Sequence, residues 1–215
     1  MRVLVVGANG QIGKHIVRIL GESNKHEVRA MIRKQEQSAA LEAVGAETVI
    51  ADLEGDVKGI AEAAKGCDAV IFTAGSGAHT GADKTILIDL DGAIKTIEAA
   101  EQAQANRFVM VSAINADKRE KWSEQIRHYH AAKHYADERL KASDLNYTIV
   151  RPGGLTNDPG TGKVSIAKNL ERGYVTREDV ASTVVATLEE ENTYRRGFDL
   201  IGGDTAIAEA LQQFK

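Results

Sequence analysis

A strand, a glycine turn and a helix follow one another without a linker at residues 3–20, and this junction constrains the fold more than any other feature. Four apolar residues, 3–6, indicate a strand buried on both faces. Three glycines follow, and apolar residues then recur at helical spacing. Glycines let a phosphate approach the backbone, and the N–H groups and dipole of a helix start attract it. The junction predicts a dinucleotide site, held by Gly7, Asn9, Gly10, Gln11, Ile12 and Gly13.

The glycine spacing alone is weak evidence, because the chain has 20 glycines and helix-packing glycines can give the same pattern. The first interval is also one residue longer than in the GxGxxG fingerprint. The setting favours a binding site, since the motif follows a β-branched run and opens a helix.

Length and charge limit the classes of function. A chain of 215 residues fits one domain spanning 1–215. A net charge of −4 argues against nucleic acid or an anionic membrane as partner and leaves a small molecule. No apolar run reaches membrane-spanning length and no signal-peptide layout is present, so we expect a cytoplasmic protein. Cys67 is the only cysteine, which excludes an intrachain disulfide. The oligomeric state has no signal in the sequence.

Strands alternate with helices along most of the chain, which predicts a doubly wound α/β fold with a parallel sheet. Residues 27–32, 47–51, 69–73, 108–112 and 147–150 follow the first strand as further strands. The pattern breaks at residues 153–173, where we expect a small substrate lobe or, alternatively, a long surface loop. Thr176 followed by Asp179 indicates the next helix start.

The end of the second strand predicts which nicotinamide cofactor fits. An acid about twenty residues beyond the glycines would bind the ribose 2′-hydroxyl of NAD. Arg33 and Lys34 stand there instead and suit the 2′-phosphate of NADP, although basic residues also commonly solvate a strand end. Further cofactor contacts are expected at later strand ends, from Asp52 and Leu53 and from Thr73, Ala74 and Gly75, where ordinary packing is the alternative.

Tyr129 and Lys133 are four residues apart, so they share one face of a predicted helix. A phenol can transfer a proton near neutral pH if a cation stabilises its phenolate. Ser112, at the end of the fifth strand, could hold a substrate oxygen. A surface Tyr–Lys pair and an uncommitted serine are the alternatives. His79, His128, His130 and His134 lack a further ligand, so we expect no metal.

Together these motifs resemble the short-chain dehydrogenase/reductase superfamily, a Rossmann fold, over nearly the whole chain. The resemblance makes Ser112, Tyr129 and Lys133 the serine, the tyrosine acid and the ribose-binding lysine of that family. It also places the backbone of Pro152, Gly153, Gly154 and Leu155 beside the carboxamide of the cofactor.

One position departs from the family pattern. The active-site asparagine of the superfamily aligns with Asp89, which when ionised accepts hydrogen bonds but donates none. Together with the short C-terminal part, this points to the atypical group, NmrA-like and biliverdin-reductase-like. The resemblance implies an NADP-dependent oxidoreductase acting on a small carbonyl or conjugated compound. Its alternatives are an epimerase/dehydratase and a non-catalytic NADP-binding redox sensor.

Overall fold

Parallel strands alternate with helices in the computed structural model, which describes residues 1–77 and 80–215; His79 lies outside them. The strands are β1 (Arg2–Val6), β2 (Glu27–Ile32), β3 (Glu47–Ile50), β4 (Ala69–Phe72), β5 (Arg107–Val111), β6 (Asn146–Pro152), β7 (Gly154–Thr156), β8 (Lys163–Ala167), β9 (Tyr174–Thr176), β10 (Arg196–Gly202) and β11 (Thr205–Ala206). The helices are α1 (Gln11–Gly21), α2 (Ser38–Glu42), α3 (Val57–Ala64), α4 (Ala82–Lys84), α5 (Ala93–Ala103), α6 (Arg127–Lys141), α7 (Arg177–Ala186) and α8 (Ile207–Gln213). A π-helical segment, Thr85–Gly92, joins α4 to α5.

The main sheet has the order β11-β8-β10-β6-β5-β4-β1-β2-β3. Strands β1 to β6 and β10 pair in parallel, and β8 runs antiparallel to β10 and β11. This order confirms the predicted doubly wound sheet. The order in which strands are added reverses at β1, because β2 and β3 lie on one side of it and β4 to β6 on the other. The boundary between β1 and β4 is therefore the switch point where such sheets bind ligands.

Two apolar layers cover the sheet. Helix α1 packs on α7 over one face, and α3 packs on α5 over the other. The central strands are buried throughout, as in β5, which explains their near-continuous apolar runs. In the part of the chain that the structure describes, no helix is long and apolar enough to cross a membrane.

Residues 153–173 contain more regular structure than their glycine-rich sequence indicates. Strand β7 pairs in parallel with β9 in a small second sheet, and β8 joins the edge of the main sheet. Strands this short give no clear alternation, and β8 is antiparallel, so the repeating strand–helix pattern does not reveal it. The predicted helix start is confirmed, because Thr176 Oγ1 accepts a hydrogen bond from Asp179 N at 3.0 Å.

Candidate functional site

The glycine turn brings three backbone segments closer together than side chains would allow. Gly7 has a φ of +91°, and a Cβ added to it would lie 2.6 Å from Ala74 N at the end of β4. A Cβ on Gly13 would overlap the carbonyl oxygen of Gly7, so α1 can start against the turn only with glycine there. Gly10 N donates to Gly7 O at 2.9 Å and closes the turn.

The start of α1 is open to an anion. Its N-cap, Gly10, provides no side-chain cap, and the first turn carries no acid. Asn9, Gly10 and Gln11 are exposed, and Ile12 is half-buried. Because the first N–H groups of a helix have no partner within it, this cradle fits a dinucleotide pyrophosphate.

Arg33 and Lys34 follow β2, the strand next to β1, so they lie at the same sheet edge as the glycine turn. Both side chains are exposed, and both backbone N–H groups donate to Gln37 Oε1. Within residues 1–77 and 80–215 no acidic side chain pairs with either of them. The guanidinium of Arg33 and the ammonium of Lys34 are therefore available at this edge to bind a phosphate group.

The ends of β3 and β4 flank that edge. Asp52 is exposed and accepts from Glu54 N at 3.0 Å, whereas Leu53 belongs to the buried core and is 6% exposed. Thr73 N donates to Val6 O, and its buried Oγ1 has no hydrogen-bond partner among the described residues. Ala74 is buried against Gly7, and Gly75 is exposed beside Asp89. The orphaned Thr73 hydroxyl is a polar group next to the switch point that a ligand could satisfy.

Asp89 links the end of β4 to α6. The π-helical segment buries its carboxylate completely; Oδ2 accepts from Ser76 N at 2.9 Å, and Oδ1 lies 3.3 Å from Lys133 Nζ. Lys133 is also buried, and its Nζ lies 3.4 Å from Val111 O, directly before Ser112. The structure therefore brings Asp89, Lys133 and the end of β5 together.

Tyr129 lies one turn before Lys133 on α6, with the Lys133 Nζ 5.7 Å from the centre of its ring. Burial raises the pKa of the Tyr129 phenol; Lys133 opposes that rise, and the carboxylate of Asp89 adds to it. Burial by itself would lower the pKa of the Lys133 ammonium, but Tyr129 when ionised and the carboxylate of Asp89 raise it above its ordinary value. The phenol is held protonated beside a charged lysine.

Ser112 and two residues that sequence reasoning missed form a buried group behind this pair. The Ser112 hydroxyl lies beside the Asp137 carboxyl, although neither Ser112 Oγ nor Asp137 Oδ1 completes a hydrogen bond among the described residues. Arg151 Nε donates to Asp137 Oδ2 at 3.0 Å. Burial raises the pKa of Asp137, and Arg151 opposes that rise. In the sequence, only the spacing of four residues between Lys133 and Asp137 indicates that Asp137 lies on the same helix face as Lys133.

The segment after β6 is shaped by close backbone contacts. Pro152 O accepts from Ile114 N, and Gly153 N and Gly154 N donate to Leu200 O and Gly173 O. Leu155 is 38% exposed. Glycine is required at 153, since a Cβ there would overlap Gly173 O. This segment lies at the carboxyl edge of the sheet, next to Ser112.

His130 and His134 of α6 make different contacts with their surroundings. His134 Nδ1 lies 2.9 Å from Ala116 O, and its ring packs edge-on against Trp122 at 5.4 Å between ring centres. Burial lowers the pKa of His130, whose ring stacks on Trp122. Among residues 1–77 and 80–215, no three His, Cys, Asp or Glu side chains gather as metal ligands would.

Comparison with known proteins agrees with this geometry. The profile of the family described as NAD(P)H-binding matches residues 7–191. A Bacillus subtilis (strain 168) protein named "Uncharacterized sugar epimerase YhfK" is 61% identical over 213 residues, covering 99% of this chain and 100% of that protein. A solved structure from Bacillus halodurans, provisionally named an NAD-dependent epimerase/dehydratase, is 45% identical with a TM-score of 0.94 and 99% coverage of both chains.

A reductase shares the same architecture at lower identity. ChuY, described as an anaerobillin reductase from Escherichia coli O157:H7, is 26% identical with a TM-score of 0.80, covering 95% of this chain and 98% of that chain. The family profile spans most of the chain, and named epimerases and reductases align along nearly its full length. The chain therefore belongs to the NAD(P)H-binding family, in the atypical short-chain dehydrogenase/reductase group, and has its Rossmann fold.

Proposed function

We propose that the protein binds NADP and transfers hydride between that cofactor and a small carbonyl or conjugated substrate. One arrangement supports this proposal: along one sheet edge, a cradle suited to phosphate lies between two exposed cations without ion-pair partners among the described residues and a pair formed by a half-buried tyrosine and a buried lysine. The cradle is the start of α1, the cations are Arg33 and Lys34, and the pair is Tyr129 and Lys133. Asp52, Leu53 and residues 73–75 would line the adenosine and ribose, and residues 152–155 the carboxamide.

When bound, the dinucleotide would supply the hydride, and the chain supplies the proton. Hydride addition at the carbonyl carbon, together with proton donation from Tyr129 Oη to the carbonyl oxygen, would convert C=O to CH–OH. The raised pKa of Tyr129 keeps the phenol protonated until then, and the Lys133 ammonium stabilises the phenolate that results. Ser112 Oγ, which lacks a partner among the described residues, holds the substrate oxygen. Reduction thus needs no proton from Asp89.

Replacing Arg33 tests the cofactor assignment. A charge-assisted hydrogen bond contributes about 1.5–3 kcal/mol. We expect Arg33→Ala to weaken NADPH binding about ten- to a hundredfold and to change NADH binding little, with Arg33→Lys between them. Dissociation constants from calorimetry check this. An equal loss for both nucleotides would contradict a contact with the 2′-phosphate.

Replacing Asp89 tests the electrostatics of the pair. In Asp89→Asn the side-chain oxygen still accepts from Ser76 N, but the charge 3.3 Å from Lys133 is gone. Because Asp89 raises the pKa of Tyr129, we expect that pKa to fall and the alkaline limb of the reduction profile to move to lower pH. Tyrosinate absorbance, corrected by the matching Tyr129→Phe proteins, measures the pKa directly.

Asp91→Asn is the matched control, since Asp91 is half exposed and pairs with Lys95 at 2.8 Å. It removes the same charge two residues away and should leave the pKa of Tyr129 unchanged. A Tyr129 pKa that stays constant or rises in Asp89→Asn would refute the coupling.

Two other functions have support of their own. The relative that is 61% identical is named a sugar epimerase, and epimerisation through a transient ketone would use the same residues. A redox sensor that binds NADP without turnover is favoured by the Asp89–Lys133 ion pair, which neutralises the cation that should activate Tyr129. Products from isotope-labelled sugar nucleotides would identify the first, and binding without any turnover the second.

A further inference from the structure

A cavity of about 560 Å³ opens on the far side of the Asp137–Arg151 pair, between the end of α6 and the start of β10. We call it the basic cleft. Its lining includes six basic side chains, those of Lys141, Arg151, Lys168, Arg195, Arg196 and Lys215. Apart from Arg151, which pairs with Asp137 behind Ser112, none of these residues belongs to the site described above, and the proposed function does not use the cleft.

The charge of the cleft opposes that of the whole chain. Six lining side chains are Lys or Arg and one is Asp, whereas the chain carries a net charge of −4. A concave surface of one charge sign raises the local concentration of oppositely charged ligands. A cavity of this size is within the usual range for small-molecule sites.

The floor of the cleft is a buried guanidinium with unused donors. Arg151 is 3% exposed; its Nε donates to Asp137, and its Nη1 lies 3.5 Å from Asp117 Oδ2, beyond good hydrogen-bond geometry. Within the described residues, neither Nη group donates a hydrogen bond. A Cβ at Gly197 would lie 2.8 Å from Nη1, so only glycine at this position keeps a side chain from crowding the guanidinium.

The rim adds cations that are free to reach a ligand. Lys168 and Arg196 are exposed, and in the described ranges neither side chain forms an ion pair. Arg195, with a φ of +57°, donates from Nη2 to Ser143 O. Lys141 at the rim already forms an ion pair with Glu138 at 2.6 Å, so its ammonium is less available to a ligand.

We propose that the basic cleft binds a small molecule carrying at least two phosphate or carboxylate groups. The planar fork of Arg151 holds one anionic group at the floor, and Lys168 and Arg196 hold the second at the rim. The ligand binds alongside the dinucleotide and does not compete with it.

Calorimetry with inorganic pyrophosphate and with citrate, in saturating NADP and at low salt, tests the proposal. The wild type should bind one equivalent of at least one of these anions. Lys168→Glu/Arg196→Glu should weaken that binding about tenfold or more. Lys58→Glu/Lys163→Glu is the control, because it makes the same change in net charge at exposed positions away from the cleft. It should stay within about twofold of the wild type.

Three results would overturn the proposal. The first is that neither anion binds. The second is that both double variants lose affinity equally, which would show a general charge effect. The third is that a single-stranded oligonucleotide binds the cleft more tightly than either anion, which would show a macromolecular ligand. The outcome does not depend on the NADP proposal. If NADP fails to bind, pyrophosphate held at the glycine turn would survive Lys168→Glu/Arg196→Glu, whereas pyrophosphate in the cleft would be lost.

Discussion

Tyr129→Phe should reduce carbonyl turnover with NADPH by about 10²- to 10⁴-fold, the usual contribution of a positioned proton donor. The change removes only the hydroxyl, so NADPH affinity and thermal stability should remain near the wild-type values. The assay follows NADPH absorbance with the carbonyl or conjugated compound that the wild type reduces fastest in a panel of such compounds.

Tyr135→Phe is the matched control on the same helix. Tyr135 is 48% exposed, and its hydroxyl accepts from Arg119 Nη2 at 3.2 Å. Its loss should leave turnover within about twofold, since surface changes have small effects. Unchanged turnover in Tyr129→Phe would remove Tyr129 from the mechanism. Tight NADPH binding by a wild type that reduces no compound would favour the sensor.

Gly13→Ala should largely abolish dinucleotide binding. The added Cβ overlaps the Gly7 carbonyl oxygen, and backbone atoms of Ala8 stand 2.9 Å from it, so α1 must move away from the turn. Overpacking of this kind costs about 1–3 kcal/mol of folding free energy. Since the displaced helix start is the phosphate cradle that we propose, we expect NADPH affinity to fall about a hundredfold or more. Urea unfolding and NADPH titration measure the two effects.

Two further glycine variants separate packing from binding. Gly59→Ala, in α3, places its Cβ 3.4 Å from Asp56 Oδ1, so stability should hold or rise slightly. Gly10→Ala brings its Cβ 3.1 Å from Gly7 O and should keep most of the stability while weakening NADPH. If Gly13→Ala bound NADPH as tightly as Gly59→Ala does, the turn would not be the cofactor site.

The predictable features are those fixed by local spacing. The turn at Gly7, Gly10 and Gly13 and the pairing of Tyr129 with Lys133 each depend on residues within two helical turns, so the sequence alone gives their geometry. The parallel sheet can also be predicted from the sequence, because buried strands alternate with helices from β1 to β6.

The unpredicted features depend on contacts distant in sequence. Asp89 was recognised as unusual, but its ion pair with Lys133 arises only when the π-helical segment packs against α6. The Asp137–Arg151 pair likewise needs α6 to lie along β6. A π-helix shifts the face on which each side chain emerges, so a regular helical period cannot assign that position.

The proposed preference for NADP can be measured through the NADPH and NADH dissociation constants of the wild-type protein. Fluorescence titration of reduced dinucleotide gives both values under one set of conditions. We expect one site per chain and NADPH binding at least about tenfold tighter than NADH, because Arg33 and Lys34 would face the 2′-phosphate. Equal or stronger binding of NADH, or no binding of either nucleotide, would contradict it.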